Sequence, residues 1–142
     1  MNMKCLVKES LSVDGLTLKQ DVHVPKVKED EVLIKVQATC VCGTDKSIYL
    51  SSRSEGIQKE MRRYLPNGDF KPLVIGHEFC GTVEALGPGI EEKFKDIPDE
   101  HKVQKGDYVT AEMHLSCGHC LQCRTGNEHI CTKVRVKGVH LD

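Results

Sequence analysis

Apolar and polar residues alternate over several short stretches of this chain, and a period of two is what a half-buried β-strand requires. On that pattern strands are expected at residues 4–8, 16–22, 31–38, 74–86, 108–112 and 134–139. The clearest is EVLIKVQA at 31–38, in which Val32, Ile34, Val36 and Ala38 would share one face. Lys105-Gly106-Asp107 supplies a tight turn into the strand at 108. Short strands separated by glycine-containing turns predict a mainly β, small barrel-like domain. Helix is expected to be minor. Ile57, Met61, Tyr64 and Leu65 recur at helical spacing ahead of Pro66, which predicts one short amphipathic helix. The charged stretch 90–104, IEEKFKDIPDEHKVQ, reads as a surface loop. No internal repeat, low-complexity tract or interdomain linker interrupts the pattern.

At 142 residues the chain is one domain's worth of sequence, 1–142, with length for a real core but not for a typical two-domain enzyme. Twenty Lys and Arg against 21 Asp and Glu leave a formal net charge of -1, scattered rather than blocked. That balance gives no electrostatic footprint for nucleic acid and favours a small-molecule or protein partner. The opening MNMKCLVKES lacks the apolar run of a signal peptide, and no segment approaches the roughly 18 apolar residues of a membrane span. A cytoplasmic protein without membrane contact is the expectation.

The eight cysteines take their meaning from that setting, because in a reducing compartment closely spaced thiols read as metal ligands before disulfides. Cys117-x2-Cys120-x2-Cys123-x7-Cys131 places four thiolates in one short loop, as a closed tetrahedral zinc site needs. The iron-sulfur alternative fits less well: in bacterial ferredoxins the fourth cysteine follows after three residues and precedes proline, whereas here seven intervene and Thr132 follows. A closed site of this kind holds structure and does no chemistry. His119, Arg124 and His129 read as surface residues or outer-sphere partners, not ligands. A second set lies upstream. Cys42, His77 and Glu78 offer thiolate, imidazole and carboxylate, a mixture that leaves a zinc position open for water or substrate. Taken singly, each has the blander reading of a buried thiol or a strand histidine.

In combination these motifs resemble the zinc-dependent medium-chain alcohol dehydrogenase family. Gly76-His77-Glu78-x2-Gly81-x5-Gly87-x2-Ile90 is similar to its zinc signature at every fixed position. Cys42-Gly43-Thr44-Asp45 resembles its first ligand segment, the four cysteines its structural zinc lobe, and Lys105-Gly106-Asp107-x-Val109 its recurrent turn and strand. The resemblance runs from about residue 31 to 131. It implies a GroES-like, partly open β-barrel with a structural-zinc lobe. Ile48-Tyr49, and Glu112, His114 and His119 around the first cysteines, look like the branch acting on threonine; polyol, butanediol and glucose dehydrogenases share the zinc motifs.

What the resemblance implies can be assigned to residues. Cys42, His77 and Glu78 would hold a catalytic zinc, Glu78 directly or in exchange with water, and Cys117, Cys120, Cys123 and Cys131 a structural one, giving two zinc ions per chain. Asp45 would orient His77, and Thr44 would accept the proton of an alcohol substrate whose hydride passes to NAD or NADP. Ser47 stands, after Lys46, where the family often has a relay histidine, so a proton could pass onward only through water or a coenzyme hydroxyl. Residues 51–70 read as a flap over the cleft or as a surface insertion. Gly87-Pro88-Gly89 is a turn and not a dinucleotide fingerprint, so the Rossmann domain is expected outside these residues. The segment alone is expected to be inactive, and the full-length protein to be a homo-oligomer. The competing expectation is a non-catalytic interaction module in which only the four-cysteine set binds zinc.

Overall fold

The computed structural model describes residues 1–50 and 71–140. The expected helix over 57–65 and the flap or insertion at 51–70 lie outside the described residues. Strands dominate, as the alternation predicts. They are β1 (Asn2–Lys8), β2 (Leu16–His23), β3 (Val32–Thr39), β4 (Leu73–Val74), β5 (Phe79–Leu86), β6 (Tyr108–Thr110), β7 (His114–Leu115) and β8 (Arg135–Val136). They form open sheets in the orders β2-β1-β4, β3-β5-β6 and β7-β8. The short α-helices are α1 (Gly43–Tyr49), α2 (Ile90–Lys93) and α3 (Leu121–Arg124).

The described residues group into two compact units. One comprises Met1, His23–Thr39 and Phe79–Ala111; the other comprises Asn2–Val22, Cys40–Glu78 and Glu112–Asp142. In the first, β3 runs antiparallel to β5 from Val32 opposite Leu86 to Thr39 opposite Phe79, and β6 pairs with β5 at Cys80–Thr110 and Thr82–Tyr108. Asp107 donates its backbone N–H to Gln104 O at 3.2 Å, closing the turn that leads into β6. The single apolar face expected of β3 does not form. Irregularities between Leu33 and Ile34 and between Val36 and Ala38 leave Glu84 of β5 and Gln37 of β3 without a partner across the ladder, and Val36, on the expected apolar face, is 54% exposed.

Two further expectations are corrected. The strand expected over 74–86 is two strands, β4 and β5, separated by residues 75–78. Gly76 sits in that break at φ 110, a conformation that only glycine adopts without strain, so the ladder stops there. The loop expected over 90–104 contains α2 and a 3₁₀ turn at Asp99–His101. Phe94 and Lys93 donate backbone N–H groups to Ile90 O and Gly89 O, and buried Ile90 anchors the turn.

The second unit is built around α1. Ile48 and Leu73 are almost wholly buried against each other, with Ile75 and Val139 packed around them. Lys8 and Val7 of β1 pair with Leu73 and Val74 of β4, so the sheet floors this core. Leu73→Ala is expected to cost about 2–5 kcal/mol, because a side chain with 0% exposure leaves a cavity when it is truncated. A urea unfolding midpoint that does not move would contradict that placement.

Candidate metal centres

The break between β4 and β5 and the start of α1 bring the upstream donors together. Cys42, His77 and Glu78 each offer a ligand atom, and these atoms lie within 4.8 Å of one another. Two backbone contacts account for the convergence. Cys40 donates its N–H to Glu78 O at 2.9 Å, tying the residues ahead of α1 to the His77-Glu78 pair. Gly138 lies so close to Gly76 that a Cβ there would stand 2.2 Å from Gly76 O. Gly138→Ala is therefore expected to push the Gly76 peptide and the adjoining His77, also straining its own φ of +71. Destabilisation by at least ~1 kcal/mol in a denaturant titration is the expected result.

Helix α1 sorts its side chains by the spacing of three that puts residues on one face. Asp45 and Ile48 are buried on its inner side. Thr44 is exposed and Ser47 half-buried beside each other. Asp45 reaches back to Cys42, the residue that begins the helix, and accepts its backbone N–H at Oδ2 over 2.8 Å. Its other oxygen, Oδ1, faces His77 Nδ1 at 3.5 Å, long for a hydrogen bond, and neither atom has a hydrogen-bond partner. His77 is 3% exposed. A buried imidazole whose Nδ1 turns to a carboxylate leaves Nε2 as the ring nitrogen open to a metal. Thiolate, imidazole and carboxylate together suit zinc. Neither Gly138 nor Cys40 stood out in the sequence, since one contributes only its lack of a side chain and the other a backbone N–H.

Cys117, Cys120, Cys123 and Cys131 form the second cluster, with all four Sγ atoms within 4.8 Å. The separations are 3.4 Å between Cys120 and Cys123, 3.9 Å between Cys120 and Cys131 and 4.0 Å between Cys117 and Cys123. A tetrahedral ion with Zn–S bonds of about 2.3 Å requires sulfur–sulfur edges of about 3.8 Å, which these values bracket. None of the eight cysteines is in a disulfide. Helix α3 and a 3₁₀ turn at Glu128–Ile130 fold the loop back, with Cys120 at the entrance to α3 and Cys123 and Cys131 buried.

The electrostatics of the lobe fit a cation. The backbone N–H of Cys123, aimed at Cys120, lowers that thiol to about 6, and the N–H of His119 lowers Cys117. Burial pushes Cys123 up to about 12. Further N–H groups, from Cys117 at 3.4 Å and Lys133 at 3.3 Å, point at Cys131 Sγ. Four sulfurs this close cannot all ionise without a compensating positive charge, and the amide donors supply only part of it. His119, Arg124 and His129 are exposed and outside the ligand set, as expected. Glu112 accepts from the backbone N–H of His114 at 2.9 Å and pairs with its Nδ1, both side chains lying at the surface.

With strands, donor triad and cysteine lobe in place, the class of protein is defined: the chain belongs to the alcohol dehydrogenase GroES-like domain family, whose model matches residues 28–140. L-threonine 3-dehydrogenase of Bacillus velezensis is 39% identical over 137 residues, which cover 96% of this chain and 33% of that protein. An alcohol dehydrogenase from E. coli CFT073, solved in complex with NADH, has a TM-score of 0.67 at 29% identity over 99% of this chain and 33% of its own. The alcohol dehydrogenase of Thermus sp. ATN1 gives 0.66 at 29% identity over 96% of this chain and 32% of its own. The chain thus spans about a third of the length of the curated relatives it matches. Among the described residues no helix is long and apolar enough to cross a membrane.

Proposed function

We propose that this chain carries the metal-binding catalytic segment of a zinc-dependent, NAD(P)-linked dehydrogenase that oxidises a secondary alcohol, with L-threonine or a related hydroxy compound as substrate. The observation that carries this reading is the convergence of the Cys42, His77 and Glu78 donor atoms within 4.8 Å, apart from the four-thiolate set. An interaction module held only by the cysteine lobe has no use for a second, mixed donor set. The similarity to L-threonine 3-dehydrogenases favours threonine over polyols, butanediol or glucose.

In this reading Cys42 and His77 hold the catalytic zinc, and Glu78 is a direct or exchangeable third donor. Zinc at such a site acts as a Lewis acid that makes the substrate hydroxyl easier to deprotonate. The remaining work falls to the chain. Asp45 fixes the start of α1 through the Cys42 N–H and holds the His77 ring from its Nδ1 side. Thr44, exposed at the first turn of α1, receives the substrate proton at its hydroxyl, and Ser47 on the adjacent turn passes it toward water. Serine has no basic nitrogen, so this transfer depends on an ordered donor–acceptor chain instead of protonation of the relay residue. The four cysteines hold a structural zinc and take no part in the reaction. Full-length subunits associate as homo-oligomers in the cytoplasm.

The test is an assay of the zinc-loaded full-length protein with NAD and NADP against L-threonine, 2,3-butanediol, sorbitol and glucose. L-threonine is expected to have the highest kcat/KM by at least tenfold. Preference for another alcohol would move the substrate assignment, and no coenzyme reduction with any of them would remove the dehydrogenase reading.

A further inference from the structure

Lys8 is a charged side chain with 0% exposure, and nothing in the proposed chemistry uses it. A lysine is seldom fully buried, because its ammonium leaves water at a cost that hydrogen bonds must offset. Two backbone carbonyls do so here: Lys8 Nζ donates to Ser12 O at 2.7 Å and to Tyr49 O at 2.9 Å, and it stands 5.7 Å from the centroid of the Tyr49 ring. Tyr49 is the last residue of α1. The ammonium therefore sits on an orphan carbonyl at the negative end of the helix, where a cation is most favourable.

Helix α1 has only seven residues, well below the ~12–15 at which an isolated helix becomes even marginally stable, so its position depends on what grips it. Among the described residues three grips are visible. Ile48 packs on Leu73 at its inner face, Asp45 closes its start against Cys42, and Lys8 holds its end. Lys8 also pairs across the sheet with Leu73, so one residue ties β1, β4 and α1 together. A helix seven residues long spans about 10 Å, which makes a tilt at its end a displacement at Cys42, Thr44 and Asp45.

We propose that Lys8 is a positioning residue: by fixing the C-terminal end of α1 it sets Cys42 and Asp45 at the separation from His77 that the metal centre needs. The assignment rests on the reading of Cys42, His77 and Glu78 as a metal centre. Its chemistry differs from that of a general core residue, since among the described residues the ammonium reaches the helix through Tyr49 O and its ring. Methionine, which matches the length of the stem, removes that link and leaves the apolar packing.

The experiment compares wild type with Lys8→Met by residue-resolved amide hydrogen exchange and by titration with cobalt(II), using the Cys42→Ser spectrum to separate the two centres. The expected result is exchange at least tenfold faster at the Cys42, Lys46 and Leu50 amides, with the β1–β4 and β7–β8 amides within twofold of wild type. Half-saturation of the three-donor centre is expected to need at least tenfold more cobalt, with the four-cysteine centre unchanged. Unchanged exchange in α1, acceleration spread evenly through the unit, or equal weakening of both centres would overturn the proposal, the last two marking Lys8 as a general stabiliser. If wild type binds no cobalt at the three-donor centre, the metal-centre reading fails there, and with it the role given to Lys8; the exchange result then reports only what holds α1.

Discussion

Replacing Cys120 with serine is expected to empty the four-cysteine centre and unfold the loop around it. Cys120 makes two of the short sulfur contacts, to Cys123 and Cys131, and stands at the entrance to α3, so its loss opens the cluster at a corner. Local hydrogen bonds shape this loop but little apolar packing holds it, for Leu121 is 65% and Ile130 58% exposed, and only Cys123 and Cys131 are buried within it. A structural zinc typically contributes about 10–16 kcal/mol of binding free energy that is also folding energy. One thiolate of four carries roughly 3 kcal/mol of that, about a hundredfold in affinity. Elemental analysis after dialysis against a chelator that leaves the wild-type content intact should show one zinc fewer per chain, and amides of residues 117–131 should lose their exchange protection. Acid works by the same route, since protons compete for each thiolate. Retention of full zinc content in the variant would show that the cluster binds metal without Cys120 and would undo the structural assignment.

Cys42→Ser should behave in the opposite way, sparing the fold and abolishing turnover. At the start of α1 the backbone N–H of Cys42 donates to Asp45 Oδ2 while the Cys42 side chain takes the Asp45 backbone N–H, and serine keeps the first contact and can replace the second. Serine is also a good helix N-cap, so the helix should be unharmed. The thiolate, however, is one of three donors brought together there among the described residues. Lewis-acid activation is worth several kcal/mol, and losing about 4 kcal/mol of it corresponds to a fall of roughly a thousandfold in kcat. The expected pattern is a thermal midpoint within about 2 °C of wild type, zinc content lower by one, and kcat of the full-length enzyme down by about that factor. Wild-type turnover in Cys42→Ser would refute the catalytic role proposed for this centre. Together the two variants separate a metal that holds the fold from one that would serve chemistry.

Much of the strand content was legible because alternation is a local property. Strands β1, β2 and β3 begin and end within two residues of the stretches that alternate, and Asp107 closes the turn into β6 as Lys105-Gly106-Asp107 predicts. Helix α1 was not legible. Seven residues, Gly43–Tyr49, give no periodic apolar stripe, and the helix exists because Ile48 finds Leu73 and because Lys8 and Asp45 hold its two ends. The exposure of Val36 was equally hidden, since alternation along a strand does not say what packs on its apolar face.

The cysteine lobe was readable from sequence alone because its four ligands lie within fifteen positions, and so short a loop leaves few ways to arrange four thiols. The Cys42, His77 and Glu78 centre was different. Its residue types were visible, and a resemblance suggested their pairing, but thirty-four positions separate Cys42 from the His77 segment. Only the tertiary structure brings them together, through the Cys40–Glu78 hydrogen bond, the break at Gly76 and the approach of Gly138. It also reveals the buried ammonium of Lys8, which no pattern along the strand distinguished from an exposed lysine. The sequence determined which chemical groups are available and which local elements can form. Which distant groups meet, and which charges are sealed from water, depended on long-range backbone contacts whose formation is a property of the packed chain and not of any window within it.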